Sequence, residues 1–193
     1  MTTPWLDRTL EIPGPLKLLH GETAALRELA WVYLGALAFT GGALVAFREE
    51  ALALDALRLG VLVIVTLDLA GGAIANLCPG TRAYWQARPP GLRLAFLAVH
   101  GLHALAIAFV FPASAGAAFL AWTWMMIAGA CLTLSPRALR GEAPAMALAL
   151  MGATAVHLSP GLAPFAGVLL TVFLVKLVFS FGAVSALGAA AGD

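Results

Sequence analysis

The sequence predicts an all-α fold, a polytopic membrane helix bundle of six transmembrane helices with a short amphipathic N-terminal segment. Composition is the first reason. Of 193 residues, 62% are hydrophobic and 11% charged, against about 25% charged in a soluble domain. The second reason is run length. Six apolar segments, residues 28–47, 58–79, 92–111, 114–134, 143–159 and 163–185, approach the ~20 residues a helix needs to cross about 30 Å of hydrocarbon. The third is punctuation. The connections FREEALALDALR, PGTRAYWQARPPG, FPASAG, SPRALRGEAP and SPGLAP each hold Pro, Gly or charges, which break regular structure. Backbone groups in lipid must be satisfied within the segment, so the spans read as helices, and the alternating ten-residue strands of a membrane barrel are absent.

The chain divides into a cytoplasmic or interfacial segment, 1–27, a six-helix transmembrane domain, 28–187, and a short cytoplasmic tail, 188–193. Within the first, GPLKLLHGETAALRE (residues 14–28) mixes leucines and charges and predicts a short interfacial helix or an extension of the first span. The first residues lack the basic-then-apolar layout of a cleaved signal, so the first run reads as a retained helix. RAYWQAR sets Tyr84 and Trp85 between arginines, the pattern of an interfacial aromatic belt.

Orientation follows from the basic residues. Arg8, Lys17, Arg27, Arg82, Arg88, Arg93, Arg137 and Arg140 fall on one side of a six-span layout, and only Arg48 and Arg58 on the other. Both termini are therefore expected in the cytoplasm of a multi-pass protein of the cell membrane. A formal net charge of +1 gives no case for nucleic acid. The bilayer is the expected partner, with a small molecule or an ion as ligand. Cys78 and Cys131 form no CxxC pair, so no zinc or thioredoxin signature is present.

Function is expected where polar residues interrupt the apolar runs, because such groups are costly in hydrocarbon. Asp68 lies near the middle of the second segment, with Gly71, Gly72 and Ala75 on its face. Small residues let another helix approach, which places Asp68 inside the bundle. Asn76 adds a second polar group toward the cytoplasm. Lys176, in the sixth segment, sits within about 4.5 Å of the depth of Asp68 at 1.5 Å per residue, so the two are expected to pair. His100 and His103 share a helix face by their i,i+3 spacing. They are expected to face the interior, as neutral rings hydrogen-bonded in the bundle, as proton carriers or ligand contacts, or, with Asp68, as metal-ligand candidates. Trp122 and Trp124 point about 200° apart, so at most one lines a shared cavity.

There is no GxSxG, HExxH, Walker or GxGxxG pattern, and the sequence names neither a cofactor nor an oligomeric state. Three functions fit. One is a small proton-linked transporter or permease built on Asp68, His100, His103 and Lys176. A second is a membrane enzyme, metal-assisted or not, acting on a lipid or hydrophobic small molecule. The third is a non-catalytic subunit whose buried polar groups fix helix packing.

Overall fold

The computed structural model describes residues 5–136 and 141–182. Arg137, Arg140, the end of the sixth segment from residue 183 and the tail 188–193 lie outside the described residues. The N-terminal segment is not the helix expected over residues 14–28. Strand β1 (Thr9–Glu11) pairs antiparallel with β2 (Thr23–Ala25), Leu10 opposite Ala24. Between them lie a 3-10 turn, Gly14–Leu16, and a four-residue helix, α1 (Lys17–His20). The reason is local. Pro13 and Pro15 lack a backbone donor, and Gly21, at φ +80°, takes the left-handed conformation that ends α1.

Helix α2 (Leu26–Ala46) starts where the Glu28 carboxylate accepts the Ala25 N–H at 3.3 Å. After a short helix, α3 (Arg48–Leu52), the N-cap Asp55 accepts the Arg58 N–H at 2.9 Å and starts α4 (Ala56–Ala75), a standard way to satisfy an orphan first-turn donor. Pro79 and Pro90, each in a first helical turn, open α5 (Pro79–Gln86) and α6 (Pro90–Val99). Helix α7 (Gly101–Val110) continues α6 after a break at His100. A 3-10 turn, Pro112–Ser114, leads to α8 (Ala115–Leu134), and α9 (Glu142–His157) and α10 (Pro164–Leu174) follow. Helix α10 runs on as a π-helical turn, Val175–Ser180.

The long helices alternate in direction, as contacts between their connections show. At one end Glu50, in α3, accepts the Phe165 N–H at 3.3 Å. Ser114 accepts the Ala163 N–H at 2.9 Å there too. At the other end the Thr81 hydroxyl donates to the Leu19 carbonyl at 2.7 Å, and Arg82 lies 4.0 Å from Glu142. The N-terminal hairpin, α5 and the start of α9 therefore share that end.

Four stretches are long and apolar enough to cross a membrane: Leu26–Ala46, Ala56–Ala75, Pro90–Val110 and Pro112–Leu134. They are compatible with an integral membrane protein. Six such spans are not seen among the described residues. Helix α9 has 16 residues, about 24 Å at 1.5 Å per residue, because Pro160 and Gly161 end it early. Pro164–Ser180 is also short, and its place is central. Phe165, Leu170, Phe173, Leu174, Leu177 and Phe181 are each at most 1% exposed, as expected of a helix apolar all round and packed on every side. It touches α4, α8 and α9. Helix α2 is peripheral, and α4 is its main partner. The outer surface is apolar, with Trp31, Leu34, Ile64, Leu102 and Leu150 exposed.

Candidate functional site

The polar residues of three helices meet at one level of the bundle. Asp68 projects from α4, and its Oδ2 lies 2.5 Å from Lys176 Nζ and 2.6 Å from His103 Nε2. Lys176 Nζ also donates to the Asp68 backbone carbonyl at 3.2 Å. Among the described residues, Asp68 Oδ1 takes no hydrogen bond.

Gly72 and Asn76 make the Lys176 reach possible. A Cβ on Gly72 would stand 2.3 Å from Lys176 Cε and 2.7 Å from Nζ, so the lysine stem occupies the space a side chain would need. One turn on, the Asn76 amide donates to the Lys176 carbonyl at 3.0 Å. That carbonyl also accepts the Phe181 N–H, five residues on, the signature of a π turn. Such turns are frequent at functional positions.

The histidines lie at a second irregularity. The His100 N–H bonds to the Leu97 carbonyl and the His103 N–H to the His100 carbonyl, both at 3.0 Å. These i→i+3 bonds tighten the helix at the junction of α6 and α7. His100 Nδ1 lies 2.7 Å from the Phe96 carbonyl. A carbonyl only accepts, so that nitrogen carries the proton. By the same reasoning His103 presents Nε2–H to the Asp68 carboxylate, and its Nδ1 is a buried lone pair with no partner. The two rings stack, centroids 4.9 Å apart and 13° from parallel. Phe96 packs its edge on His100 and lies against Trp85 and Phe181.

Two cavities reach Asp68. The larger, about 430 Å³, lies between α2 and α4 and has Val32, Tyr33, Leu37, Ile64, Leu67 and Asp68 in its wall. The smaller, about 140 Å³, lies beneath the N-terminal hairpin, where Leu18 and Leu19 face His100, Asn76 and Lys176. Asp68 is therefore not enclosed as the sequence predicted. Its side chain is 45% exposed, whereas that of Lys176 is 4% exposed. The small face of Gly71 and Gly72 does admit neighbours. But α2 packs close to α4 at Gly71, with Ala36 Cβ 3.4 Å from the position of an added Cβ, and at Ile74, against Gly35, and leaves a cavity beside Asp68.

Asp68, His100 and His103 offer three ligand atoms within 4.8 Å of one another. The Lys176 ammonium already neutralises the carboxylate, so a divalent ion there would set two cations on one anion.

Several side chains depart from expectation. Trp85 is not in a belt. It is 1% exposed and donates to the Leu18 carbonyl at 3.1 Å, tying α5 to the hairpin. Tyr84 does lie under a basic group, the Arg88 guanidinium, 4.0 Å from its ring. Trp124 donates to the Leu148 carbonyl at 2.8 Å across the α8–α9 contact, and Trp122 packs on Gly101. Neither lines a cavity at Asp68. His157 bonds to the Thr171 hydroxyl at 3.0 Å. His20 is buried and bonds to the Tyr33 hydroxyl at 2.9 Å. Burial pushes the His20 pKa below its ordinary value. The close contact of Gly21 with Gly80, where a Cβ on Gly21 would meet the Gly80 carbonyl oxygen at 2.1 Å, lets the hairpin sit directly on α5. No sequence motif announces it. No family model matches the chain, and no curated protein or solved structure matches it.

Proposed function

We propose that the chain is a small proton-linked transporter or permease of the cell membrane, with six spans and both termini in the cytoplasm, and that Asp68 is its exchange carboxylate. The observation that supports this reading is the sharing of one carboxylate oxygen by Lys176 and His103, on a residue that also lines an open cavity. As arranged, the ionised carboxylate and the ammonium are neutral together. A proton arriving at Asp68 removes the counter-charge of a buried ammonium, which is costly in a low-dielectric interior. The site can relieve that cost by releasing a proton elsewhere or by repacking the helices. Protonation and conformation are thereby coupled, which is what a proton-linked carrier needs.

In this reading the two short helical segments, α9 and the α10–π helix, cross a bilayer thinned or filled in by their neighbours, as hydrophobic mismatch allows. The same apolar cavity, walled by a carboxylate that bonds to a histidine, favours, as the second reading, an enzyme acting on a lipid or hydrophobic small molecule.

The test is flux in proteoliposomes carrying an internal pH dye. The wild type is expected to dissipate an imposed pH gradient, alone or with substrate. Asp68→Asn should abolish that flux, and His157→Ala, outside the cluster, should retain it. Equal flux in wild type and Asp68→Asn would overturn the assignment.

A further inference from the structure

The geometry points to the groove between α2 and α4 as a binding site for a neutral, hydroxyl-bearing lipophile that donates its hydrogen bond to Asp68 Oδ1. Three observations select that chemistry. First, the cavity of about 430 Å³ is within the range of small-molecule sites, which are apolar with a few placed polar groups. Tyr33 contributes only its ring to the apolar side, because its hydroxyl is engaged with His20 at 2.9 Å. Second, among the described residues Asp68 is the one charged residue in the cavity wall, and its Oδ1 takes no hydrogen bond from them. Third, its charge is already matched by Lys176 at 2.5 Å. A cationic ligand would add a second positive charge against one carboxylate, and an anionic one would face the carboxylate directly. A neutral O–H supplies the missing donor with no charge imbalance.

Access fits a ligand arriving from lipid. Leu37 and Ile64, both in the cavity wall, are 60% and 68% exposed, and α2 is held mainly by α4. As the cargo of a carrier, the lipophile rests on the reading above. Its seat on Asp68 does not, because binding is read without flux.

The experiment uses the full chain in lipid nanodiscs and three probes with a mid-chain diazirine: hexadecanol, its methyl ether, and the matching alkylammonium. Photolabelled sites are mapped by mass spectrometry. The alcohol is expected to label residues 32–37 and 64–71 about tenfold more than the ether, the scale of one added hydrogen bond. Leu37→Trp with Ile64→Trp should obstruct the cavity and remove that labelling. Both positions are exposed, so the fold is kept. Asp68→Ala, made with Lys176→Met so that no lone ammonium remains, should erase the preference for alcohol over ether. Equal labelling by alcohol and ether would overturn the site as ordinary lipid contact. Stronger labelling by the alkylammonium would overturn the neutral ligand, and labelling unchanged by the two tryptophans would overturn the location. A chain that labels as expected but carries no proton flux overturns the transport reading alone. One that carries flux without alcohol preference overturns this site alone.

Discussion

At the scale of single residues, Gly72 is the position on which the cluster depends most directly. Its hydrogen stands where a methyl group would strike Lys176 Cε at 2.3 Å. Gly72→Ala is expected to displace the lysine from Asp68, costing about 1–3 kcal/mol, the usual range for overpacking. Gly41→Ala, with nothing within 4 Å of the new methyl, should leave thermal unfolding in detergent unchanged or slightly improved. Equal effects of the two would show that Lys176 does not depend on that space. The ion pair itself should respond asymmetrically. Removing Asp68 strands an ammonium that is 4% exposed, a loss of about 3–5 kcal/mol where such pairs are fully buried. Removing Lys176 leaves a carboxylate that is half open and still bonded to His103, so the loss is smaller. Asp68→Asn should therefore lower the midpoint of unfolding more than Lys176→Met, and the double variant should recover part of it. Additive losses in that cycle would mean the two side chains are not energetically coupled.

At the scale of elements, the N-terminal hairpin and α5 form one docked unit. Trp85, Thr81 and the Gly21–Gly80 contact hold it. Glu22 adds ion pairs to Lys17 and Arg88, and the hydrogen bond from Lys17 foremost holds its carboxyl below the usual range. His20 makes the docking pH-dependent. Its folded pKa lies below the ordinary 6.5, so between that value and the lowered one the undocked state binds more protons. Stability then rises with pH across that window. The contribution is complete above pH ~6.5 and is lost as pH falls toward the folded value. Amide hydrogen exchange of residues 9–25, corrected for the intrinsic rate, should be faster at pH 5.5 than at pH 7.5, and His20→Phe should remove most of the difference. Unchanged protection across that range would show that His20 does not control docking. Helix irregularities act at this scale too. The 3-10 pinch at His100 and the π turn at Lys176 aim two polar side chains inward from largely apolar helices.

At the scale of the whole molecule, alternating connections join at opposite ends, and the orientation expected from the basic residues becomes testable. With Cys78 and Cys131 replaced by Ser, single cysteines at Ala113 and at Leu162 should react with a membrane-impermeant maleimide from outside intact cells. Cysteine at Ala87 should react only after permeabilisation. Labelling of Ala113 and Leu162 from the cytoplasm alone would reverse the topology.

Much of this architecture was legible in the chain because its causes are local. Hydropathy marks which segments are apolar, and Pro and Gly mark where they stop, so helices α2, α4, α8 and α9 begin within a few residues of the expected positions. The polar residues also stood out, because a charge or an imidazole is conspicuous in an apolar run. Matching depth and the small face beside Asp68 pointed to its pairing with Lys176, 108 positions away. The other features depended on tertiary contacts. The bond from Asn76 to the Lys176 carbonyl, 100 positions away, is set by how α10 threads through the bundle. The openness of Asp68 was decided by the peripheral position of α2, and the burial of Trp85 by a hairpin folding back onto α5. Periodicity assigns a residue to a helix face. Whether that face meets a neighbour, a cavity or the outside depends on the packing of helices that lie far apart in sequence.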